Sequence, residues 1–191
     1  MGYHRAGFDV VGVDINPQPH YPFEFHQADA LTFPLEGFDA IHASPPCQAY
    51  TRAAASRKLT SHPDLVDPVR ERLTFSRLPW VIENVPGAPL RSPLLLCGAA
   101  FGIPIIRHRI FETNVEIPLW PTCGTDNMAG TAGHGAGFFP YAAGTWEPAW
   151  RERVIPEIWP WMTLKEAGQA IPPAYTEWIG RHLLEALGVI P

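Results

Sequence analysis

A cysteine stands in the run Ala43-Ser44-Pro45-Pro46-Cys47-Gln48, directly after the apolar, strand-like segment Phe38-Asp39-Ala40-Ile41-His42. Paired prolines make a stiff turn, and a thiol held on such a turn at a strand's end is presented to a ligand, not packed into a core. Further along come Val81-Ile82-Glu83-Asn84-Val85-Pro86-Gly87 and Arg107-His108-Arg109-Ile110-Phe111. A nucleophile, an acid and an arginine pair, in that order, suit covalent chemistry on a heterocyclic base. The ordinary alternatives are a buried structural thiol, a strand-end surface glutamate, and arginines that bind acids across a sheet. Arg107 and Arg109 alternate with His108 on a strand, so both arginines are expected on the same face.

The elements that must position these side chains are legible in outline. Gly7 fits a helix C′ position after residues 1–6, and Asp9-Val10-Val11-Gly12-Val13-Asp14 has the composition of a buried strand ending in an acid. Strands are expected near residues 23–26, 38–43 and 80–83. Pro68, after Asp67, suits the first turn of a helix with Val69 and Leu73 on one face. Residues 94–101 are expected to hold a helix or turn, and 103–112 a strand. From Thr163 the pattern is helical, and residues 176–187 form a closing amphipathic helix. Alternating strands and helices predict an α/β fold with a parallel sheet. Ligands of such sheets bind beyond the carboxyl ends of strands, where Asp14, Asp29, Cys47 and Glu83 all fall.

Composition bounds the rest. The chain has 191 residues, 46% hydrophobic and 17% charged, enough for one domain with a sizeable core. Its 22 prolines fall mostly between short apolar runs. No apolar stretch approaches the ~18 residues of a membrane span, and residues 1–8 lack the apolar run of a signal peptide. Cys47, Cys97 and Cys123 form neither a disulfide framework nor a zinc motif, which fits a reducing cytoplasm. The eight histidines have no metal-type spacing, and no metal is assigned. A net charge of −5 with only Lys58 and Lys165 is unusual for a protein that must meet phosphates. Arg52, Arg57, Lys58, Arg70, Arg72 and Arg77 follow the thiol and supply local positive charge, or else an ordinary solvated surface.

Taken together, the Pro-Pro-Cys-Gln run, the Glu-Asn-Val run and Arg-His-Arg resemble the DNA cytosine-5 methyltransferase family. The resemblance spans nearly the whole chain and implies a Rossmann-like class I methyltransferase sheet, S-adenosylmethionine as cofactor and double-stranded DNA as partner. It further implies DNA methylation of the restriction-modification kind, in a prokaryotic cell or phage-infected host. In that reading Cys47 attacks cytosine carbon 6, which makes carbon 5 nucleophilic enough to accept a methyl group. A cysteine with an ordinary pKa of ~8.5 is only a few per cent thiolate at neutral pH, so nearby arginines and the turn would activate it. Glu83 would engage ring nitrogen 3, with a pKa raised by apolar neighbours. One arginine of Arg107 and Arg109 would contact the base carbonyl, and the other the thiol loop or a phosphate. Asn84 would brace the loop. On the cofactor side, Asp14 would take the ribose hydroxyls, Ile15 would cover the adenine and Asp29 would accept from its amino group. Pro46 and Gln169 would complete the pocket.

The chain also departs from the family. Ile105 stands where a glutamine is usual, and Gln169, in Gly168-Gln169-Ala170-Ile171-Pro172-Pro173, where an asparagine is usual. The family's first strand and Gly-rich cofactor loop would precede Met1, so the first strand is expected to be missing and cofactor binding to be weak. Residues 1–112 would form the catalytic core, 113–160 a small irregular target-recognition insertion, rich in glycine and aromatics, and 161–191 a return to the core. A short recognition segment implies a short target sequence or a helper. Two other readings stay open: a catalytically defective DNA-binding or decoy homologue, and an enzyme that modifies free pyrimidine nucleotides.

Overall fold

The computed structural model describes residues 1–50, 63–103, 105–118, 139–140 and 160–190. They fold as the α/β class expected, in two compact units that interleave along the sequence. One comprises Met1–Phe33, Cys97–Arg107 and Thr122–Arg181; the other Pro34–Leu96, His108–Pro121 and His182–Pro191.

In the first unit, helix α1 (Gly2–Ala6) ends on Gly7, whose φ of 117° supplies the left-handed turn that closes a helix. Strand β1 (Val11–Asp14) pairs in parallel with β2 (Glu24–Gln27), Asp14 opposite Gln27. A 3-10 turn (Gly98–Phe101) precedes β6 (Ile105–Ile106), which pairs with β8 (Phe139–Pro140). Helix α3 (Leu164–Gln169) carries a full capping box, Thr163 accepting from the Glu166 amide while Glu166 accepts from the Thr163 amide. Helix α4 (Pro173–Ala186), which belongs to this unit up to Arg181 and to the second from His182, buries Tyr175, Thr176, Ile179, Gly180, Leu183 and Leu184, a stripe at helical spacing. Any side chain at Gly2 or Gly180 would collide with α4 or α1 atoms, so two glycines set how closely these helices approach.

The second unit holds a four-stranded sheet in the order β3 (Ile41–Ala43), β4 (Trp80–Asn84), β7 (Arg109–Thr113), β5 (Leu94–Leu96). β3 and β4 are parallel and joined through helix α2 (Val66–Ser76), whereas β7 runs antiparallel to both β4 and β5. The sheet is therefore mixed, not parallel. Residues 94–101 open with a strand, and the single strand expected over 103–112 is two, interrupted at Arg107 and His108. Leu73, Trp80 and Ile82 form a core between helix and sheet, joined by Val69, Ile41 and Leu35.

On that helix-facing side, Arg70 and Glu112 form a buried two-pronged ion pair at 2.7 and 2.8 Å. Arg70 also bonds Asp67 and the Pro89 carbonyl, and the Arg91 amide donates to Glu112. Arg70 is thus committed to the interior and is not part of a phosphate-binding surface. Burial raises the pKa of Glu112, but the hydrogen bonds from Arg70 and the Arg91 amide outweigh it and hold the carboxyl below its usual range. A depressed folded pKa stabilises the fold fully above the unfolded value of ~4.3 and less as pH falls through the folded one. Arg70→Met should therefore cost ~3–5 kcal/mol in urea unfolding at neutral pH, because it strands a buried carboxylate. The penalty should shrink on acidification below pH ~4, as Glu112 is protonated. An Arg70→Met/Glu112→Leu double variant should recover most of the loss.

Candidate active site

β4 is buried at all five positions, although its sequence is Trp-Val-Ile-Glu-Asn. Buried polar groups require partners, and those of Glu83 and Asn84 define the site. Register decides the first. Glu83 lies opposite Phe111 on antiparallel β7, so Arg109, two residues earlier, is its diagonal neighbour on the same face. Arg109 Nε meets Glu83 Oε1 at 2.9 Å, with the side chains 13% and 9% exposed. Nη1 of Arg109 also donates to the His108 carbonyl. The arginine that the sequence offered either to a base or to an acid across the sheet holds an acid here.

Asn84 has the opposite parity and reaches the cysteine loop. β3 and β4 pair up to Ala43 opposite Ile82, and the same offset carried on sets Pro45 beside Asn84. Pro45 and Pro46 have no amide hydrogen, so the ladder cannot continue by its own donors. The side chain of Asn84 takes over: Nδ2 donates to the Pro45 carbonyl at 3.0 Å, and Oδ1 accepts from the Val85 amide at 2.9 Å. Pro45 is buried and Cys47 is a half-buried free thiol. The turn closes with the Tyr50 amide donating to the Cys47 carbonyl at 3.0 Å, and the Tyr50 hydroxyl donates to Asp64 ahead of α2. The bracing role expected of Asn84 is what the structure shows. Cys47 follows the end of β3, Glu83 nears the end of β4, and Arg109 begins the antiparallel β7, so all three lie at one end of one sheet.

The remaining site residues belong to the first unit, apart from Pro46, which stays with Cys47 and is exposed. Asp14 and Asp29 share one end of the β1–β2 pair, held by Ala28 donating to the Asp14 carbonyl and Gln27 to the Ile15 carbonyl. The Asp14 carboxylate accepts from the Asn16 amide at 2.8 Å and from Gln18 at 3.2 Å, and Asp29 accepts from the Leu31 amide at 2.8 Å. Ile15 is 67% exposed, an apolar face open to a flat ring. An acid-ended strand, an exposed aliphatic side chain and a second acid fit the chemistry of an adenosine group. Gln169 is exposed at the end of α3. His20, in the loop after Asp14 and Ile15, lies 2.9 Å from Glu166, whose pKa is held at about 2 chiefly by its hydrogen bonds from Thr163 and His20.

Arg107 departs from the expected same-face pairing with Arg109. It lies outside any strand, is 1% exposed, and donates to the Gly168 carbonyl at 3.1 Å. Arg52, Arg57 and Lys58, and 113–160 apart from 113–118, 139–140 and 160, lie outside the described residues. Sequence reasoning missed His42, whose Nε2 is 3.0 Å from the Ser44 hydroxyl and whose pKa burial pushes down to about 4, leaving it neutral. No spacing signals that contact. It also missed the Thr163–Glu166 box, for which the Thr-x-x-Glu pattern was available.

No protein-family model matches the chain, and no curated protein does. Among solved structures, a mutant form of Spodoptera frugiperda DNMT2 is 23% identical over 59% of this chain and 46% of that one, with a TM-score of 0.40. The chain thus spans a little under half the length of that structure.

Asn84→Ala should destabilise the protein by ~1–3 kcal/mol, the cost of stranding buried hydrogen-bonding groups, as read by denaturant unfolding. It should also speed hydrogen exchange at the Tyr50 amide, which reports the cysteine turn.

Proposed function

We propose that the chain is an S-adenosylmethionine-dependent cytosine-5 methyltransferase acting on a base flipped from double-stranded DNA. The observation that carries this reading is the buried Glu83–Arg109 pair at the same sheet end as the register-locked Cys47 loop. A buried ion pair is weak as a stability device and buried charge is costly, so its persistence at the same sheet end as a half-buried thiol favours chemistry. Flipping the base costs a few kcal/mol of unstacking.

In this mechanism the Cys47 thiolate bonds to carbon 6 of cytosine, and the ring electrons displaced by that bond accumulate toward carbon 5 and nitrogen 3. Glu83 engages nitrogen 3. Arg109 meets Glu83 in the resting state; as the base enters it turns toward the base carbonyl, and Glu83 takes up the proton that the Cys47 thiol releases and passes it to nitrogen 3 as the sulfur–carbon bond forms. Asp14, Ile15, Asp29, Pro46 and Gln169 would hold the cofactor, which when bound would offer carbon 5 an electrophilic methyl group. Loss of the carbon 5 proton to solvent then re-forms the carbon 5–carbon 6 double bond with the carbon–hydrogen electrons, Cys47 departs as a thiolate with the sulfur–carbon pair, and nitrogen 3 returns its proton to Glu83.

A second reading has support. Arg70, Arg107, Arg109 and Arg181 are all engaged with carboxylates or carbonyls, and the net charge is −5, which favours a free pyrimidine nucleotide over a phosphate-rich duplex. Both substrates are therefore to be assayed.

A duplex containing 5-fluorocytosine should trap a covalent adduct at Cys47, because the fluorine cannot leave as a proton does; mass spectrometry locates it. Cys47→Ser should abolish the adduct and leave the fold intact, and trapping at Cys97 or Cys123 would refute the assignment. Glu83→Gln should lower turnover by ~10²–10⁴, the range for a positioned acid–base group, with cofactor affinity nearly unchanged. Reaction with a deoxycytidine nucleotide and not with duplex would favour the second reading.

A further inference from the structure

Pro172 and Pro173 impose a constraint on α3. In a helix the carbonyls of Gly168 and Gln169 would accept from the amides of residues 172 and 173, and proline has none. The end of α3 therefore needs donors from elsewhere. One comes from Arg107, whose Nη2 donates to the Gly168 carbonyl at 3.1 Å. Arg107 is in turn fixed through its backbone, because the hydroxyl of Tyr175, which is 0% exposed, donates to the Arg107 carbonyl at 2.6 Å. The other end of α3 is held by the Thr163–Glu166 box and by His20. The short segment carrying Gln169 is thus anchored at its start to the loop that follows Asp14 and Ile15, and at its end to Arg107.

We propose that Arg107 is a positioning residue for the cofactor side of the site, holding α3 so that Gln169 lines the pocket formed with Asp14, Ile15 and Asp29, and that it does not act on the base. The two arginines of one Arg-His-Arg run then serve different halves of the reaction. Arg109, on β7, answers to Glu83; Arg107, sealed at 1% exposure between two strands, answers to α3. A planar guanidinium bonding a carbonyl in the interior is poorly replaced by lysine, so the role is specific to arginine. The proposal rests on the methyltransferase reading for the identity of the cofactor, but the link from Arg107 to α3 does not.

Hydrogen exchange and cofactor titration together test it. Exchange is followed at the Ala167 and Ala170 amides, which close α3 onto Thr163 and Glu166, in the whole chain without ligand. Arg107→Met should speed exchange there and leave the β4 amides unchanged. Calorimetric titration with S-adenosylmethionine should show a loss of ~10- to 100-fold, the scale of one charge-assisted hydrogen bond, with Arg107→Lys recovering only part of it. Arg109→Met, in contrast, should leave cofactor affinity essentially unchanged. Unaltered exchange in α3 would overturn the proposal. So would intact cofactor affinity together with loss of the 5-fluorocytosine adduct, which would place Arg107 at the base. If Arg107→Met exposes the β4 amides as well, Tyr175→Phe, which removes a single hydroxyl, carries the same test with a smaller effect. Wild-type protein that binds no S-adenosylmethionine would count against the methyltransferase reading, and the exchange data would still decide the tie between Arg107 and α3.

Discussion

A carboxylate buried in the middle of a sheet needs a counter-charge, and β4 carries one at Glu83. Much of the second unit follows from that requirement. The strand is buried at every position, so the counter-charge must come from a neighbouring strand, and the antiparallel register puts Arg109 on the right face at the right diagonal. The same strand then buries Asn84, whose side chain donates to the Pro45 carbonyl of the proline turn. One buried strand thereby fixes both the charged pair and the loop that presents Cys47. On the other face of the sheet, Arg70 and Glu112 repeat the same solution for purely structural ends. The two pairs differ in their surroundings, not in their chemistry. Arg70–Glu112 is walled in by α2 and the Pro89 turn, whereas Glu83–Arg109 lies at the end of the sheet where β3 leads into the Cys47 loop.

The two units divide the candidate residues between them, and Pro46 stays with Cys47. Cys47, Glu83 and Arg109 belong to one, and Asp14, Ile15, Asp29, Gln169 and Arg107 to the other. The boundary between Arg107 and His108 falls inside a motif that is continuous in sequence. Each unit has its own means of holding its residues. In one it is sheet register reinforced by Asn84; in the other, a strand-end turn and a short helix tethered at both ends.

Much of this was legible in the sequence because its signals are local. Gly7 marked the end of α1, Pro68 the first turn of α2, and the apolar runs the positions of β1, β3 and β4. Proline's missing amide made the cysteine turn recognisable. What escaped was set by distant partners. The same-face expectation for Arg107 and Arg109 assumed that the strand continued through His108, and nothing in those residues says that Tyr175 and Gly168 draw Arg107 elsewhere. Likewise Arg70, written on a helix among charged neighbours, looked solvated because Glu112 is 42 residues away. The antiparallel placement of β7 was equally hidden, because strand direction is decided by which edge the chain returns to and not by composition.

The central claim is that Cys47, assisted by Glu83, adds to carbon 6 of a cytosine. Addition there renders the hydrogen at carbon 5 exchangeable before any methyl group is transferred, so the claim can be measured apart from the cofactor. A duplex bearing tritium at cytosine carbon 5, incubated with the protein alone, should release tritium to water at a rate that Cys47→Ser abolishes and Glu83→Gln slows. Folded protein that releases no tritium from the duplex or from the labelled nucleotide, or releases it equally well without the thiol, would contradict the account.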